Sequence, residues 1–560
     1  MKLIRVNMTS QDIYIEDVPL AYSRLGGRGL TSSYLNDHVN PLCDALGGDN
    51  KLIIAPGLLT GTSAPSSGRT SVGAKSPLTG TIKESNVGGS AGQYLAAHGI
   101  KAVVLEGAAL EKGAWVLVIE DYGIKLESNP NLSGLGNYET VNYLKQEYGP
   151  DCSVICVGPV GEAGAALATV AVTDMEGRPA RHAGRGGMGA VMGSKGIKAI
   201  VISRPARLVV EAKNPVKFKE ICAGFAKSVV QAKKSLAKYG TALLVNVING
   251  YGGLPTRNYT TGQNEFANNI SGEKLSELCK LRGGVTGHAC SRGCVVRCSN
   301  VYKDSGGNYV TSGLEYETIA LLGSNCGLND LDSIAELDRI CDNLGIDTIE
   351  VGAALGVAME AGEIPFGDFV SMQKALAGIV SGSYLGKILG QGTAVAGKVL
   401  GVKRTPTVKG QAMAAYDPRA VKGTGVTYAT STMGADHTAG NCLPGLGGLD
   451  PGKPEGQITL SKKQQETAMI CDILGICIFV GSIPENVPVF ASIVSAFTDQ
   501  ETGPEILLEQ ARRVLKAELE FNRAAGIAKS QNDLPDFFRT EPLPNNGLVF
   551  DIPKEELEEF

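Results

Sequence analysis

The chain changes its hydrophobic period once, and that change limits what it can fold into. Up to about residue 205, apolar residues fall in short β-branched runs such as "LIRVNM" (Leu3–Met8), "AVVLEG" (Ala102–Gly107), "WVLVIED" (Trp115–Asp121), "CSVICVG" (Cys152–Gly158) and "IKAIVIS" (Ile197–Ser203), parted by Gly-rich or polar turns. Such runs read as strands. After Asn214 the spacing is helical: Pro215–Gly240, Leu331–Gly345, Thr348–Gly362, Leu460–Leu474 and Glu505–Arg523 each carry an apolar stripe at helical spacing. The expected class is α+β. A β-rich base spans 1–208, a first helical domain 209–415 and a second 416–560, with a break near Thr405–Gly425. The tail from Leu534, rich in Pro and acidic residues, is expected to wrap the surface.

A chain of 560 residues is too long for one core, so several domains are expected. The longest apolar stretch, Ile478–Phe497, is interrupted by Pro484, Glu485 and Asn486, and no membrane span is expected. The start, Met-Lys-Leu-Ile-Arg, has no apolar core of a signal peptide, which makes the cytoplasm the expected location. A net charge of −5 argues against nucleic acid as a partner. Thirteen cysteines, an odd number in a chain expected to stay in the cytoplasm, argue against a disulfide framework and for metal or redox use of any that cluster.

Three do cluster. "HACSRGCVVRCSN" sets Cys290, Cys294 and Cys298 three residues apart, a spacing suited to three corners of a [4Fe–4S] cube with a fourth thiolate from elsewhere. Zinc is the alternative, with His288 near enough to serve, but it usually takes paired C-x2-C knuckles or a His partner. Arg292 and Arg297 flank the thiols and suit either charge compensation or the docking of an acidic electron carrier.

One phrase occurs twice. "ICDNLGID" (Ile340–Asp347) and "ICDILGIC" (Ile470–Cys477) match at six of eight positions. In each, a helix runs into Leu-Gly-Ile, so Gly345 and Gly475 read as glycines ending that helix in left-handed geometry. Asp347-Thr-Ile-Glu350 reads as a capping box for the next helix. Asp342 and Asp472, each in the last turn, face the negative end of a helix dipole, which is mildly unfavourable unless something pairs with them. Two equivalent acceptors suggest a ligand with two similar halves. Cys477, standing where the first copy has Asp347, is the candidate fourth thiolate.

The base carries two Gly-rich segments, Ser66–Gly92 and Arg181–Ile200, which set Arg69, Lys75, Arg185 and Lys195 among freed backbone amides. Amides with nearby cations suit phosphate. Neither segment is a Rossmann fingerprint, and Gly189–Lys195 misses the Walker order, so the loops alone indicate an anionic cofactor or tight structural turns.

Together, "GGRGL" (Gly26–Leu30), "KSPLTG" (Lys75–Gly80), "SNVGG" (Ser85–Gly89), "GAVMGSKGIKAI", the Cys triplet, "EYET" (Glu315–Thr318), both D-x-x-G-I-(D/C) phrases, "YDPRAVKGTGVTYATS" and "GADH" resemble, in this order, the aldehyde:ferredoxin oxidoreductase family of tungsten or molybdenum bis-pterin enzymes. The resemblance implies a β-sheet base that holds the cofactor beneath two helical domains. It gives Asp342, Gly345, Ile346 and Asp347 to one pterin and Asp472, Gly475 and Ile476 to the other. Arg69, Lys75, Asn86, Gly88, Arg185, Gly186 and Gly187 would line the pterin phosphates, with Asn86 and the Gly186 backbone on a bridging Mg²⁺. Cys290, Cys294, Cys298 and Cys477 would hold the [4Fe–4S] cluster. Glu317 is the implied acid/base, with Glu315 as its rival, and His437 the implied active-site histidine.

Three departures stand out. The first two cluster cysteines are three residues apart where the family usually has two. Glu336-Leu-Asp-Arg339 lacks the His of an E-x-x-H motif that holds a subunit-bridging iron in some relatives, so that iron is not expected. Met433 stands before "GADH" where an Arg is expected. The implied reaction is oxidation of an aldehyde with water to a carboxylic acid, electrons leaving to ferredoxin or a ferredoxin-like subunit, in a chain that works alone, as a homodimer or in a hetero-oligomer. The alternatives are a branch acting on another substrate, such as an aromatic acyl-thioester reductase subunit, and a non-catalytic iron–sulfur electron-transfer subunit.

Overall fold

In the computed structural model, which describes residues 1–110 and 113–560, the base is built of two six-stranded sheets with one plan used twice. The first sheet contains β1 (Lys2–Asn7), β2 (Asp12–Asp17), β3 (Leu52–Pro56), β4 (Thr70–Lys75), β5 (Ile82–Val87) and β6 (Ile100–Glu106), in the order β2-β1-β6-β3-β4-β5. The second contains β7 (Trp115–Glu120), β8 (Gly123–Ser128), β9 (Ser153–Cys156), β10 (Val170–Val172), β11 (Arg181–Ala183) and β12 (Ile197–Ile202), in the order β8-β7-β12-β9-β10-β11. In each sheet only the first and last strands pair parallel. In each, one helix joins the second strand to the third (Gly27–His38 and Asn137–Tyr148), and another joins the fifth to the sixth (Ala91–Ala97 and Met188–Ser194).

Alternation along the strands builds three layers of core. Ile4, Val6, Leu52 and Ile54 meet Leu117, Ile155 and Ile200 between the sheets. On the outer faces, Leu3 and Ile53 pack on Leu30 and Leu35, and Val116 and Val118 on Val141 and Leu144.

The helical half divides less simply than its sequence suggests. One core joins residues from Ala242 to Ala435 with Leu534, Phe537, Phe538, Leu543, Phe550, Ile552 and Leu557. The tail runs over the surface but is anchored in the core by these apolar residues, with Phe538 edge-on to Tyr259 at 5.6 Å. A second core joins Phe218–Val229 and the cysteine loop to Met469–Val514. Of the segment expected as a break, Thr405–Gly425, the part from Gln411 onward is buried, and the burial continues to Asp436. Its Ala, Gly and Thr residues resemble a loop in composition, but small side chains also let packed backbones approach closely. Among the described residues, no helix is long and apolar enough to cross a membrane.

Candidate functional site

The two copies of the repeated phrase end their helices in the same way. Leu331–Leu344 and Gln457–Leu474 stop at Gly345 (φ 77°) and Gly475 (φ 74°), and Ile346 and Ile476 donate N–H back to Cys341 and Cys471 at 2.9 and 3.0 Å. Each turn is then seated on the equivalent place of the duplicated base. Arg69 N–H donates to the Gly475 carbonyl at 3.1 Å, and Thr169 N–H to the Gly345 carbonyl at 2.9 Å. Cys477 N–H donates to Ser66 at 2.9 Å, and Asp347 N–H to Leu167 at 3.1 Å. The seats are glycines: a Cβ on Gly57 would lie 2.1 Å from Gly475 Cα, and one on Gly158 would lie 2.1 Å from the Leu344 carbonyl.

The aspartates of the two copies find the partners that their helix ends lack. Asp472 faces Arg28 Nη1 and Asn86 Nδ2, each at 3.5 Å. Burial pushes its carboxyl well above the usual range. Asp342 faces His182 Nε2 at 3.1 Å and Thr311, whose hydroxyl donates to Asp338 at 2.6 Å. Asn86 and His182 are equivalent, because each pairs across its sheet with the residue that matches the other's partner (Ser71 and Ala171). Sequence reasoning missed Arg28, His182 and Asp338, although Arg28 stands in the quoted "GGRGL" and His182 in "RHAGRGG". Arg28 is held by Glu518 at 2.7 and 2.9 Å, a residue 490 positions away.

Asp347 caps the next helix through Oδ1 and the Ile349 N–H at 2.9 Å. The expected capping box is only half made, because Glu350 instead accepts N–H from Thr393 and Ala412, both at 2.9 Å. The other Asp347 oxygen lies 3.5 Å from Arg185 Nε, and neither atom has a hydrogen-bond partner. Burial raises the Asp347 carboxyl to about 6, against the pull of Arg185. Arg185 also donates to the carbonyls of Ala435 and Ala412. Gly186 and Gly187 follow at φ 80° and 75°, and the Gly186 carbonyl accepts from Ser76 at 2.7 Å. Asn86 takes the Arg69 Nε–H, and Gly88 sits so close that an added Cβ would lie 3.1 Å from Arg69 Nη1 and 3.3 Å from Cys290 Sγ. Lys75 does not join them. Its ammonium is tied to the carbonyls of Pro41 and Cys43, the latter at 2.7 Å, and Lys195 is likewise tied to Asn50. Each lysine stabilises loop backbone, a role that a Gly-rich sequence does not distinguish from phosphate binding.

Ser66 staples the cysteines together. Its carbonyl takes the Cys477 N–H, its N–H donates to Gly293 at 2.9 Å, and its hydroxyl takes the Val295 N–H at 3.1 Å. The Cys294 sulfur accepts the Arg297 N–H at 3.4 Å. Cys290 is held well below the usual thiol range by its bond from Cys294, with Arg69 and Arg181 assisting, whereas burial pushes Cys298 and Cys477 up. Among the described residues, no three His, Cys, Asp or Glu side chains close round a point as a single-ion site would.

Glu317 is the middle residue of a short helix, Tyr316–Thr318, that continues into a π-helical turn, Ile319–Gly323, a feature that often marks functional sites. One Glu317 oxygen takes the Ala415 N–H at 2.7 Å. The other has no hydrogen-bond partner and lies 3.5 Å from His437 Nε2, whose Nδ1 is also free. Tyr416 stacks near His437 with ring centres 5.9 Å apart. Asp436 anchors the histidine turn by accepting from Thr438 and from the buried Lys83, whose ammonium also lies 4.0 Å from the Met433 sulfur. Burial would raise Asp436, but Lys83, Arg185 and His437 outweigh it and hold the carboxyl well below its usual range. The site thus brings together two equivalently seated motif turns with buried aspartates, four neighbouring cysteines beside one of them, and a carboxylate–imidazole pair with an unpartnered oxygen and nitrogen.

A duplicated base carrying such motif turns, clustered thiols and a buried carboxylate–imidazole pair suits a redox enzyme. Residues 3–204 match the family described as "Aldehyde ferredoxin oxidoreductase, N-terminal domain", and residues 219–560 match "Aldehyde ferredoxin oxidoreductase, domains 2 & 3". The tungsten-containing aldehyde ferredoxin oxidoreductase of Pyrococcus furiosus is 34% identical, over 97% of this chain and 92% of its own. That of Thermococcus kodakarensis is 33% identical, over 98% and 93%. A WOR-like subunit of an aliphatic sulfonate oxidoreductase from Pyrococcus furiosus is 28% identical, over 80% and 76%. The solved active-site complex of benzoyl coenzyme A reductase with 1,5-dienoyl-CoA superposes with a TM-score of 0.80 at 20% identity, over 100% of this chain and 92% of the other, and shares the fold. The chain belongs to the aldehyde ferredoxin oxidoreductase family and is an oxidoreductase.

Proposed function

We propose that the chain oxidises aldehydes to carboxylic acids with water, using a tungsten (or molybdenum) bis-pterin and a [4Fe–4S] cluster, and delivers electrons to ferredoxin or a ferredoxin-like subunit. The observation that carries this reading is the buried Glu317–His437 pair, 3.5 Å apart with Oε1 and Nδ1 unpartnered. The residues present fit the cofactors. Arg185 Nε, Asp347 Oδ2 and Ser71 Oγ are buried polar atoms without hydrogen-bond partners, which a polar, anionic cofactor would satisfy. Asp342 and Asp347 would hold one pterin, Asp472 the other, and Asn86 with the Gly186 carbonyl a bridging Mg²⁺. Cys290, Cys294, Cys298 and Cys477 would hold the cluster. When bound, the metal–pterin supplies two-electron redox chemistry, and the cluster passes the electrons on singly.

The rest falls to the chain itself. In this reading the His437 imidazole would polarise a carbonyl oxygen, and Glu317 Oε1 would take the proton of the attacking water. The overall change, RCHO + H₂O to RCOO⁻ + 3H⁺ + 2e⁻, needs such a base. Tyr416, Tyr316 and Tyr428 are buried around Glu317 and keep bulk water from it. Exposed Arg292 and Arg297 border the cysteine loop, where an acidic electron carrier would dock.

The test is metal analysis and a substrate panel on anaerobically purified protein. The expected result is about four iron with one tungsten or molybdenum per chain, and aldehyde-dependent reduction of a low-potential one-electron acceptor. A loaded protein inert to aldehydes but active on an aromatic acyl thioester would move the substrate assignment to the other branch. Iron or zinc alone would overturn the cofactor assignment.

A further inference from the structure

Arg181, on β11, is a cation that the cofactor seats do not use. It is 8% exposed, and its Nε and Nη2 have no hydrogen-bond partner. A guanidinium stays charged, so burying one with open N–H groups is unfavourable unless something of opposite sign faces them. Its surroundings show which way it points. Gly313, at φ 84°, leaves space for it: a Cβ there would lie 2.6 Å from Arg181 Nη1 and 3.4 Å from the oxygen of Ser299, the residue after Cys298. Burial opposes the charge, while Cys290 foremost, then Asp174, Glu315 and Cys298, favour it. Arg69 approaches the same cage from the Gly88 side, but its Nε and Nη2 are already spent on Asn86. Arg181 keeps two N–H donors open. The next residue, His182, holds Asp342, so one short strand serves both the thiol cage and a pterin seat.

We propose that Arg181 is a positioning residue of the cluster, with its open N–H groups available to the bound cluster's own sulfur atoms and its charge raising the cluster's reduction potential. The proposal rests on the iron–sulfur reading of the four cysteines. Reduction adds negative charge to a buried cluster, and a fixed cation with N–H donors stabilises the reduced form more than the oxidised one. Potentials of such clusters respond to hydrogen bonds at sulfur and to local charge.

The experiment is an EPR-monitored redox titration of the full-length protein, purified anaerobically, as wild type, Arg181→Met and Arg181→Lys. Met keeps much of the length without charge or donor, and Lys keeps the charge. The expected result is a midpoint that falls in Arg181→Met, with Arg181→Lys between Met and wild type. Loss of the cluster from Arg181→Met but not from Arg181→Lys would also support a charge role. A wild-type midpoint in Arg181→Met, equal shifts in both variants, or loss of the cluster from both would overturn the proposal, the last two reporting packing and not charge. If wild type itself yields no [4Fe–4S] spectrum, the iron–sulfur reading falls first, and the two failures are told apart.

Discussion

Glu315 and Glu317 stand two residues apart and face different sites. Glu315 accepts from the Thr241 hydroxyl at 2.5 Å and lies on the side of the thiol cage, whereas Glu317 accepts from Ala415 N–H and faces His437. The step from extended backbone at Glu315 into the helix at Tyr316 turns one carboxylate toward the cysteines and the other toward His437. Glu317→Gln should therefore lower kcat by ~10²–10⁴-fold with metal content unchanged, while Glu315→Gln loses much less. Steady-state assays paired with metal analysis check this, and the opposite ranking would reverse the assignment.

Cys477 replaces the capping carboxylate of the first copy, and its N–H is already pinned to Ser66, which also grips the Cys294 loop. Cys477→Ala should leave the backbone seat intact yet lose the intact [4Fe–4S] signal. EPR and iron content per chain are the readouts. An unaltered cluster spectrum would disprove the role.

Gly57 and Gly158 are matched contacts, one beneath each motif. A methyl group at either place would meet backbone at 2.1 Å, and main chain cannot rotate away as a side chain can. Each alanine variant should destabilise the protein by about 1–3 kcal/mol or more, as overpacked sites do. Thermal unfolding of the single and double variants measures this. Losses well under 1 kcal/mol would mean that the seats are more yielding than their geometry implies.

Asp347 makes a pH-dependent contribution. Its folded carboxyl titrates at about 6, above the ordinary ~3.9 of an unfolded chain. Between these values the folded chain keeps a proton that the unfolded chain has lost, so stability falls as pH rises through this window, by up to about 3 kcal/mol, and is flat above it. In cofactor-free protein, Asp347→Asn should remove this dependence, its urea-unfolding free energy relative to wild type rising from pH 4 to pH 7. A constant difference across that range would show that Asp347 does not titrate between 4 and 6.

Legibility followed the range of the interactions. The left-handed glycines at 345 and 475, the Asp347 cap and the cysteine loop were readable because each is decided within a few residues, by φ and by i to i−4 hydrogen bonding. The fold class was readable from the period of the hydrophobic pattern. Composition misled where small or polar residues are packed inside: a break was expected near Thr405–Gly425, most of which is buried, the tail was expected only to wrap the surface though it also anchors in the core, and Lys75 was expected at a phosphate.

By itself, the sequence determined that two helices end alike, and that one end carries a thiol in place of a carboxylate. Tertiary structure alone decided what each end meets. Arg28 is brought to Asp472 and Glu518 across more than 440 residues, and His182 to Asp342 across 160, on sheets whose shared plan no short motif records. The reason is physical: strand order and the pairing of buried charges depend on how whole sheets and helices pack, whereas a helix end is written in its own last turn.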